Sequence, residues 1–284
     1  MFMTELCTTH RTLTIPRLQQ TLMRLGRVML LTAMLYSVLC GLHSIGSSSS
    51  VISTAAAAEN EDELAKSILE KADLIRFPKE SFQVDVTVTS SGGDSTEPHK
   101  YRIYSKGNEN TVVQIVEPAA DRGQTMLMKG RDLWVFMPNV SQAVRLSLAQ
   151  RLTGQVANGD LARANFSGDY QPRLVRTERI GNEDMQVLEL IAVDKGVTYR
   201  RVMYWIRKSN DYPYKAEFYS MSDRLLKTCR YDGFKQMGGR VRPTRMVMED
   251  ALKGGEKSVL EYDAMQLREL PDKLFNKDFL KKLN

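Results

Sequence analysis

The feature that most limits what this chain can become is a period-two hydropathy pattern that restarts about a dozen times with almost no helix in between. It opens with Phe82, Val84, Val86 and Val88, interleaved with Gln83, Asp85, Thr87 and Thr89, and resumes after the turn SSGGDSTEP with Tyr101 and Ile103. Alternate residues of a strand face opposite sides, so this pattern describes a hairpin with one apolar face. Further runs occupy 110–117, 124–129, 132–138, 172–181, 184–193, 197–208, 212–220, 223–233, 241–250 and 255–264, joined by polar turns such as KGNEN, KGRD, IGNED and QMGG. Consecutive strands with short connections pair antiparallel, which predicts a meander.

Helical signals are few. Residues 61–75 place Leu64, Ile68, Ala72 and Ile75 at helical spacing, with acids in the first turn, and Phe77–Pro78 ends the segment because proline disfavours helical geometry in its predecessor. The stretch 139–170 breaks the strand rhythm and is expected to be a loop with one or two short helical turns, and Phe279 and Leu280 are expected to dock a short final helix. One short helix cannot cover so many apolar strand faces. The fold is therefore expected to be mainly β with a few helices, an antiparallel sheet curled so that its concave apolar face is partly plugged.

Residues 28–42, VMLLTAMLYSVLCGL, follow Arg24 and Arg27 and precede a Gly/Ser stretch ending in Ala55–Ala58. This run is short for a membrane span and reads as the core of a Sec-type signal peptide over 1–58, cleaved after Ala58, with Met23 as the more ordinary start. An uncleaved anchor is the alternative. Leu39 before Cys40 argues against an acylated lipoprotein cysteine. A single domain over 59–284 is then expected in the periplasm, with Cys229 as its one cysteine and so no internal disulfide.

The formal net charge of +6 shrinks once residues 1–58 are set aside, since the remainder carries 36 basic and 33 acidic residues, interspersed. A nucleic-acid reader would cluster its cations, so that class is excluded. Catalytic ingredients are also scarce. His99 is the one histidine after residue 58 and is expected in a solvated turn, and a single Cys and His far apart make a zinc site improbable. Adjacent acids such as Glu183 and Asp184, or Glu249 and Asp250, point to opposite faces of a strand and cannot share a substrate. Nucleophile-elbow, P-loop and dinucleotide fingerprints are missing. The reading is a non-enzymatic protein with no catalytic residues, no metal and no cofactor, which sets aside a hydrolase of envelope esters or glycans.

What the strands do carry is excess apolar bulk. In TMLMKGRDLWVFMP, Met126, Met128, Leu133, Trp134, Val135, Phe136 and Met137 make both faces of a hairpin apolar. Methionine fills irregular spaces and suits surfaces that adapt to varied apolar ligands, although plain core is the simpler account of the same residues. A cavity for acyl chains would resolve the uncovered sheet face, at roughly 0.8 kcal/mol per buried methylene.

Three stretches, PAADRGQTMLMKGRDLWVFMPNVSQAVRLS, LTGQVANGDLARANFSGDY and YWIRKSNDYPYKAEFYSMSDRLLKT, resemble the outer-membrane lipoprotein-sorting family of LolA-like proteins, over about residues 60–284. The resemblance implies a half-open antiparallel β-barrel whose concave apolar face, lidded by helices, holds lipid or the acyl chains of lipoproteins in transit between the inner and outer membranes. It further implies a monomer with an inner-membrane exporter and an outer-membrane acceptor as partners. A lipid-responsive binding module acting on a membrane signalling or exporter partner is the competing function. Alternation combined with this fold assigns Phe82, Val84, Val86, Tyr101, Ile103, Trp134, Phe136, Leu188, Leu190, Val202, Tyr204 and Ile206 to the cavity face. Arg122 is read as an exposed turn charge, with lipid-headgroup pairing as its alternative.

Overall fold

The computed structural model describes residues 49–280 apart from 93–96, 108, 139, 141 and 164, with side chains from Glu59 onward. The expected signal-peptide core at 28–42, Cys40 and the alternative start at Met23 lie outside the described residues. The chain divides into two compact units, Met1–Ala56 and Ala57–Asn284. Of the first, only 49–56 is described, and it is helical.

In the second unit the meander is present in full. Fifteen strands follow one another: β1 (Phe82–Ser91), β2 (His99–Lys106), β3 (Asn110–Glu117), β4 (Thr125–Lys129), β5 (Asp132–Phe136), β6 (Val144–Leu146), β7 (Arg151–Thr153), β8 (Val156–Ala157), β9 (Tyr170–Ile180), β10 (Glu183–Ala192), β11 (Arg201–Arg207), β12 (Pro213–Tyr219), β13 (Leu225–Met237), β14 (Arg240–Asp250) and β15 (Lys257–Leu267). Thirteen of them form one antiparallel sheet in the order β6-β5-β4-β3-β2-β1-β15-β14-β13-β12-β11-β10-β9, while β7 and β8 pair separately. Each strand lies beside its sequence neighbour except where β1 meets β15, the single long-range junction that brings the two halves of the meander together. β6 and β9 remain as edges, so the sheet curls without closing. Register shifts in the β1–β15, β9–β10 and β11–β12 pairs introduce bulges, including Ala264 at φ 52°, and bulges bend a strand.

Helix α1 runs over Ser49–Arg76, beginning well before the expected 61, because the alanine run 55–58 extends the helix with strong helix formers. Its buried face also differs from the expected one: Ala65, Ile68, Leu69 and Ala72 are buried, whereas Leu64 is 47% exposed. Two stripes one position apart carry apolar residues at the helical period, and the concavity takes the one with the smaller residues at its ends. The segment 139–170 is more ordered than a loop: β6 pairs with β5, β7 and β8 form a small hairpin, and α2 (Asn158–Ala162) supplies the expected helical turn. Gly154, at φ +49°, turns the small hairpin against the sheet, where a β-carbon would come within 2.1 Å of Ser90 Oγ and 2.3 Å of Ser258 Oγ. His99 opens β2 instead of lying in the turn, with its ring against Tyr101.

The sheet separates its apolar residues into layers. The concave layer joins α1 and α2 to inward residues from β1–β5 and β9–β15 in one buried cluster. On the convex side, Val112, Leu127 and Phe136 pack with Leu270, Phe275 and Leu280, so α3 (Lys277–Leu280) and the 3-10 turn Asp272–Phe275 dock there, as expected of the C-terminal segment. A smaller convex cluster holds Met185, Val187 and Trp205. These placements separate two leucines of α1. Leu69→Ala removes a side chain packed inside the concavity and is expected to cost about 2–5 kcal/mol in urea unfolding, whereas Leu64→Ala is expected to change stability by about 0.5 kcal/mol or less. Equal losses from both would contradict this helix register.

Candidate functional site

Among the described residues, the concave face is the largest apolar surface that the fold turns away from solvent. Ten of the twelve residues assigned to it from the sequence, Phe82, Val84, Val86, Tyr101, Ile103, Leu188, Leu190, Val202, Tyr204 and Ile206, share its single buried cluster. Trp134 and Phe136 do not. They lie on the convex side, where Phe136 is buried among Val112, Leu127 and Phe275 and the Lys277 ammonium sits 3.3 Å from the centre of the Trp134 ring. The concave residues of that hairpin are instead Met126, Met128, Leu133 and Val135. Both faces of the hairpin are apolar because both are covered, one by the lumen and one by the C-terminal segment, so alternation alone cannot tell them apart. Arg122 is exposed and donates from Nε to the Val116 carbonyl at 3.1 Å, in keeping with a turn charge.

In this conformation the lumen is filled by protein. Between α1, α2 and the sheet lies a cavity of about 30 Å³ lined by Phe77, Phe82, Val84, Ile103, Leu161 and Tyr262, with a second of about 20 Å³ beside Arg76, Tyr170, Tyr231, Met246 and Met248. Each has room for about one water, whereas ligand pockets usually occupy roughly 300–1,000 Å³. A wider recess of about 240 Å³, lined by Glu70, Asp73, Leu74, Pro78, Lys79 and Asn165, lies at the C-terminal end of α1 and shares Phe77, Pro78, Gly107 and Asn165 with the first cavity. A long apolar ligand could enter only if α1 or α2 withdrew.

The helices are seated by buried polar groups that the sequence pattern does not single out. Asp73 Oδ2 on α1 accepts from Phe166 N (2.9 Å), Ser167 N (2.7 Å) and Ser167 Oγ (2.8 Å), which ties the helix to the segment after α2. Burial nonetheless pushes the Asp73 carboxyl above the usual carboxylate range, opposed by Arg76 and these donors. Arg242 of β14, 2% exposed, donates to the carbonyls of Leu74 (2.7 Å), Ile75 (3.2 Å), Met237 (3.0 Å) and Gly238 (3.3 Å). It thereby caps the C-terminal end of α1, where unsatisfied carbonyls and the helix dipole favour a cation. Its removal from water draws its guanidinium down to about 10, still charged at neutral pH.

α2 is held in the same way. Lys227 Nζ reaches Asp160 Oδ2 at 2.7 Å, and Tyr199 donates its hydroxyl to the same carboxylate at 2.8 Å; Lys227 and Tyr199 are buried and the Asp160 side chain is 7% exposed. Gly159 lets this turn close, since a β-carbon there would lie 2.0 Å from Thr198 Oγ1. Arg163 pairs with buried Asp169 and donates to the Gly130 carbonyl at 2.8 Å, and Arg131 in the β4–β5 turn reaches Asp169 at 3.1 Å and also Asp194. These contacts join the β4–β5 turn near one end of the sheet to the start of β9 at the other. A polar cleft beside them is lined by Lys129, Asp132, Arg145 and Asp194. Cys229 is buried at the floor, its thiol pushed up to about 12 by burial, which makes it inert. Among the described residues no group of three or more His, Cys, Asp or Glu could hold a metal ion, and no helix is long and apolar enough to cross a membrane.

An open antiparallel sheet wrapped around helices, with an apolar concave face and polar pins holding the helices in place, defines a half-barrel of the kind that encloses ligands. Comparison with known proteins gives the family. A crystal structure of a LolA superfamily protein from Nitrosomonas europaea is 62% identical, covers 76% of this chain and 98% of that one, and superposes with a TM-score of 0.73. The chain belongs to the LolA superfamily. A family model described as an uncharacterized protein matches residues 107–282. The fold recurs at 20% identity in a DUF1329 family protein from Desulfovibrio piger, which covers 78% of this chain and 99% of that one with a TM-score of 0.68. It recurs at the same identity and coverage, with a TM-score of 0.66, in a protein from Vibrio parahaemolyticus described as a candidate outer membrane lipoprotein-sorting domain. No curated protein matches the sequence.

Arg242 offers a direct check on how the main helix is held. Arg242→Met preserves much of the stem but removes the donor to the Leu74 and Ile75 carbonyls, and is expected to cost about 2 kcal/mol or more, with faster amide exchange in the last turns of α1. Unchanged protection there would mean that apolar contacts alone seat the helix.

Proposed function

We propose that this protein is a periplasmic carrier that takes up lipid, or the acyl chains of a lipoprotein, in its concave face and moves them between the inner and outer membranes. The observation that carries the reading is the concave cluster itself: a continuous apolar surface over twelve strands, covered by helices that are fixed by discrete polar pins. Apolar packing is non-directional, so α1 and α2 can exchange their contacts with the sheet for contacts between the sheet and acyl chains at little net cost. The polar pins then define one closed seat to which the helices return after release. Membership of the LolA superfamily, and the lipoprotein-sorting description of a protein with the same fold, support this reading.

The mature chain in this reading starts near Glu59, after a signal peptide ending at Ala58, and acts as a non-enzymatic monomer between a donor in the inner membrane and an acceptor in the outer membrane. No cofactor or metal is involved. The cavity-face residues are the ten in the concave cluster, together with Met126, Met128, Leu133 and Val135.

Protein isolated from the periplasm should carry lipid or acylated peptide, detected by native mass spectrometry with solvent extraction. The delipidated protein should take a fluorescent acyl probe from donor vesicles and pass it to acceptor vesicles. Asp73→Asn weakens the tie between α1 and the 166–167 backbone and should speed uptake severalfold. A protein that is reproducibly empty and takes up no probe would reduce the concave cluster to ordinary core and end the carrier reading.

A further inference from the structure

The lumen is not uniformly apolar, and the exception lies at its centre. Arg76 is 6% exposed and comes from the helix that plugs the sheet. Its ion pair with Asp73 is long, 3.4 Å from Nη1 to Oδ1, and the other carboxylate oxygen of Asp73 is taken by three donors from residues 166 and 167. Around the guanidinium stand the rings of Phe166 (4.5 Å), Tyr231 (5.5 Å) and Phe77 (5.6 Å). Aromatic faces attract a cation but accept no strong hydrogen bond, and Arg76 Nε has no partner.

Two tyrosines add to this. Tyr204 packs against Phe166 and Tyr231, and Tyr262 packs against Phe77, so each lies one ring away from the guanidinium. Both hydroxyls are buried without a hydrogen bond of good geometry, that of Tyr204 meeting only Arg76. The Arg76 charge opposes the rise that burial imposes on each phenol. Asn165, whose Oδ1 is also unpartnered, lines the cavity beside Tyr262 and the cavity beside Arg76. A guanidinium N–H and two phenolic O–H groups are donors, and a buried cation with one stretched ion pair is an arrangement that an added oxygen anion would relieve. A lumen made only for hydrocarbon would gain nothing from these groups.

We propose that the cargo is an amphiphile bearing a carboxylate or phosphate, seated with that group inside the lumen against Arg76, Tyr204 and Tyr262 and with its chain along the concave face. This rests on the carrier reading above and adds to it the chemistry of the cargo and its orientation. The anion would take the Nε and hydroxyl donors. The recess at the end of α1, lined by Asp73, Lys79 and Asn165, shares Asn165 with the cavity beside Arg76.

The test measures displacement of an uncharged fluorescent acyl probe from the delipidated full chain by palmitate, by palmitoyl lysophosphatidate and by methyl palmitate, each below its aggregation concentration. At least one acid should bind roughly tenfold or more tightly than the methyl ester, the gain expected of a charge-assisted hydrogen bond, and whichever acid does so identifies carboxylate or phosphate. Arg76→Leu should abolish that preference, bringing acid and methyl ester to equal binding. If Arg76→Leu does not fold, Tyr204→Phe and Tyr262→Phe read the same preference, and each should narrow the ratio of acid to ester binding severalfold. Equal binding of acids and ester by the natural chain, or an acid preference that survives folded Arg76→Leu or both tyrosine variants, overturns the proposal and leaves the carrier reading standing. Failure of every ligand to displace the probe overturns the proposal too, and failure of the probe itself to bind removes both.

Discussion

An antiparallel sheet of thirteen strands that curls without closing leaves a whole apolar face with nothing of its own to pack against, and the rest of this structure follows from how that face is covered. A sandwich would add a second sheet. Here α1 and α2 enter the concavity, and the sheet residues that meet them are the inward half of nearly every strand. The convex side needs far less cover, because there the alternation is mostly polar, and a few turns of C-terminal chain suffice where it is not. The β1–β15 junction makes this geometry possible: it places the first and last strands side by side, so that strands early and late in the chain become opposite walls of one lumen.

Covering a surface with helices is a different solution from closing it with strands. Strand pairing is directional and cooperative, with a hydrogen-bond ladder at each junction, whereas helix-on-sheet packing is non-directional and can be exchanged for other apolar contacts. A few buried polar groups therefore set the position of the helices: Arg242 on the end of α1, Asp73 on the segment after α2, Lys227 and Tyr199 on Asp160. Each leaves a costly unpaired group if the helix moves with nothing to replace it. A ligand that fills the lumen compensates for lost apolar contacts, and the polar pins set how much it must supply.

Much of this architecture was legible in the chain. The alternating runs place nearly every strand within a few residues, and Phe82, Val84, Val86, Tyr101 and Ile103 fall on one face because strand periodicity is local geometry. Trp134 and Phe136 were assigned to the wrong side for a physical reason: their strand is apolar on both faces, and the segment covering its convex face, Leu270–Leu280, lies more than 130 residues away in sequence. Leu64 failed similarly, since α1 carries two neighbouring apolar stripes and only the shape of the concavity selects between them. The buried polar set of Asp73, Arg76, Asp160, Lys227 and Arg242 gave no signal at all, because each looks like an ordinary surface charge until its partners, from 3 to 168 residues away, are brought to it.

The sequence by itself determined the class of fold, the antiparallel order of the strands, the shortage of catalytic groups and an excess of apolar strand surface over the helices available to cover it, all of which follow from local periodicity and composition. Only the tertiary structure decided which face of each apolar hairpin turns inward, and that the filled lumen carries a guanidinium and two phenols without sufficient partners. Those depend on register and on contacts between distant segments, which no pattern along the chain encodes one residue at a time.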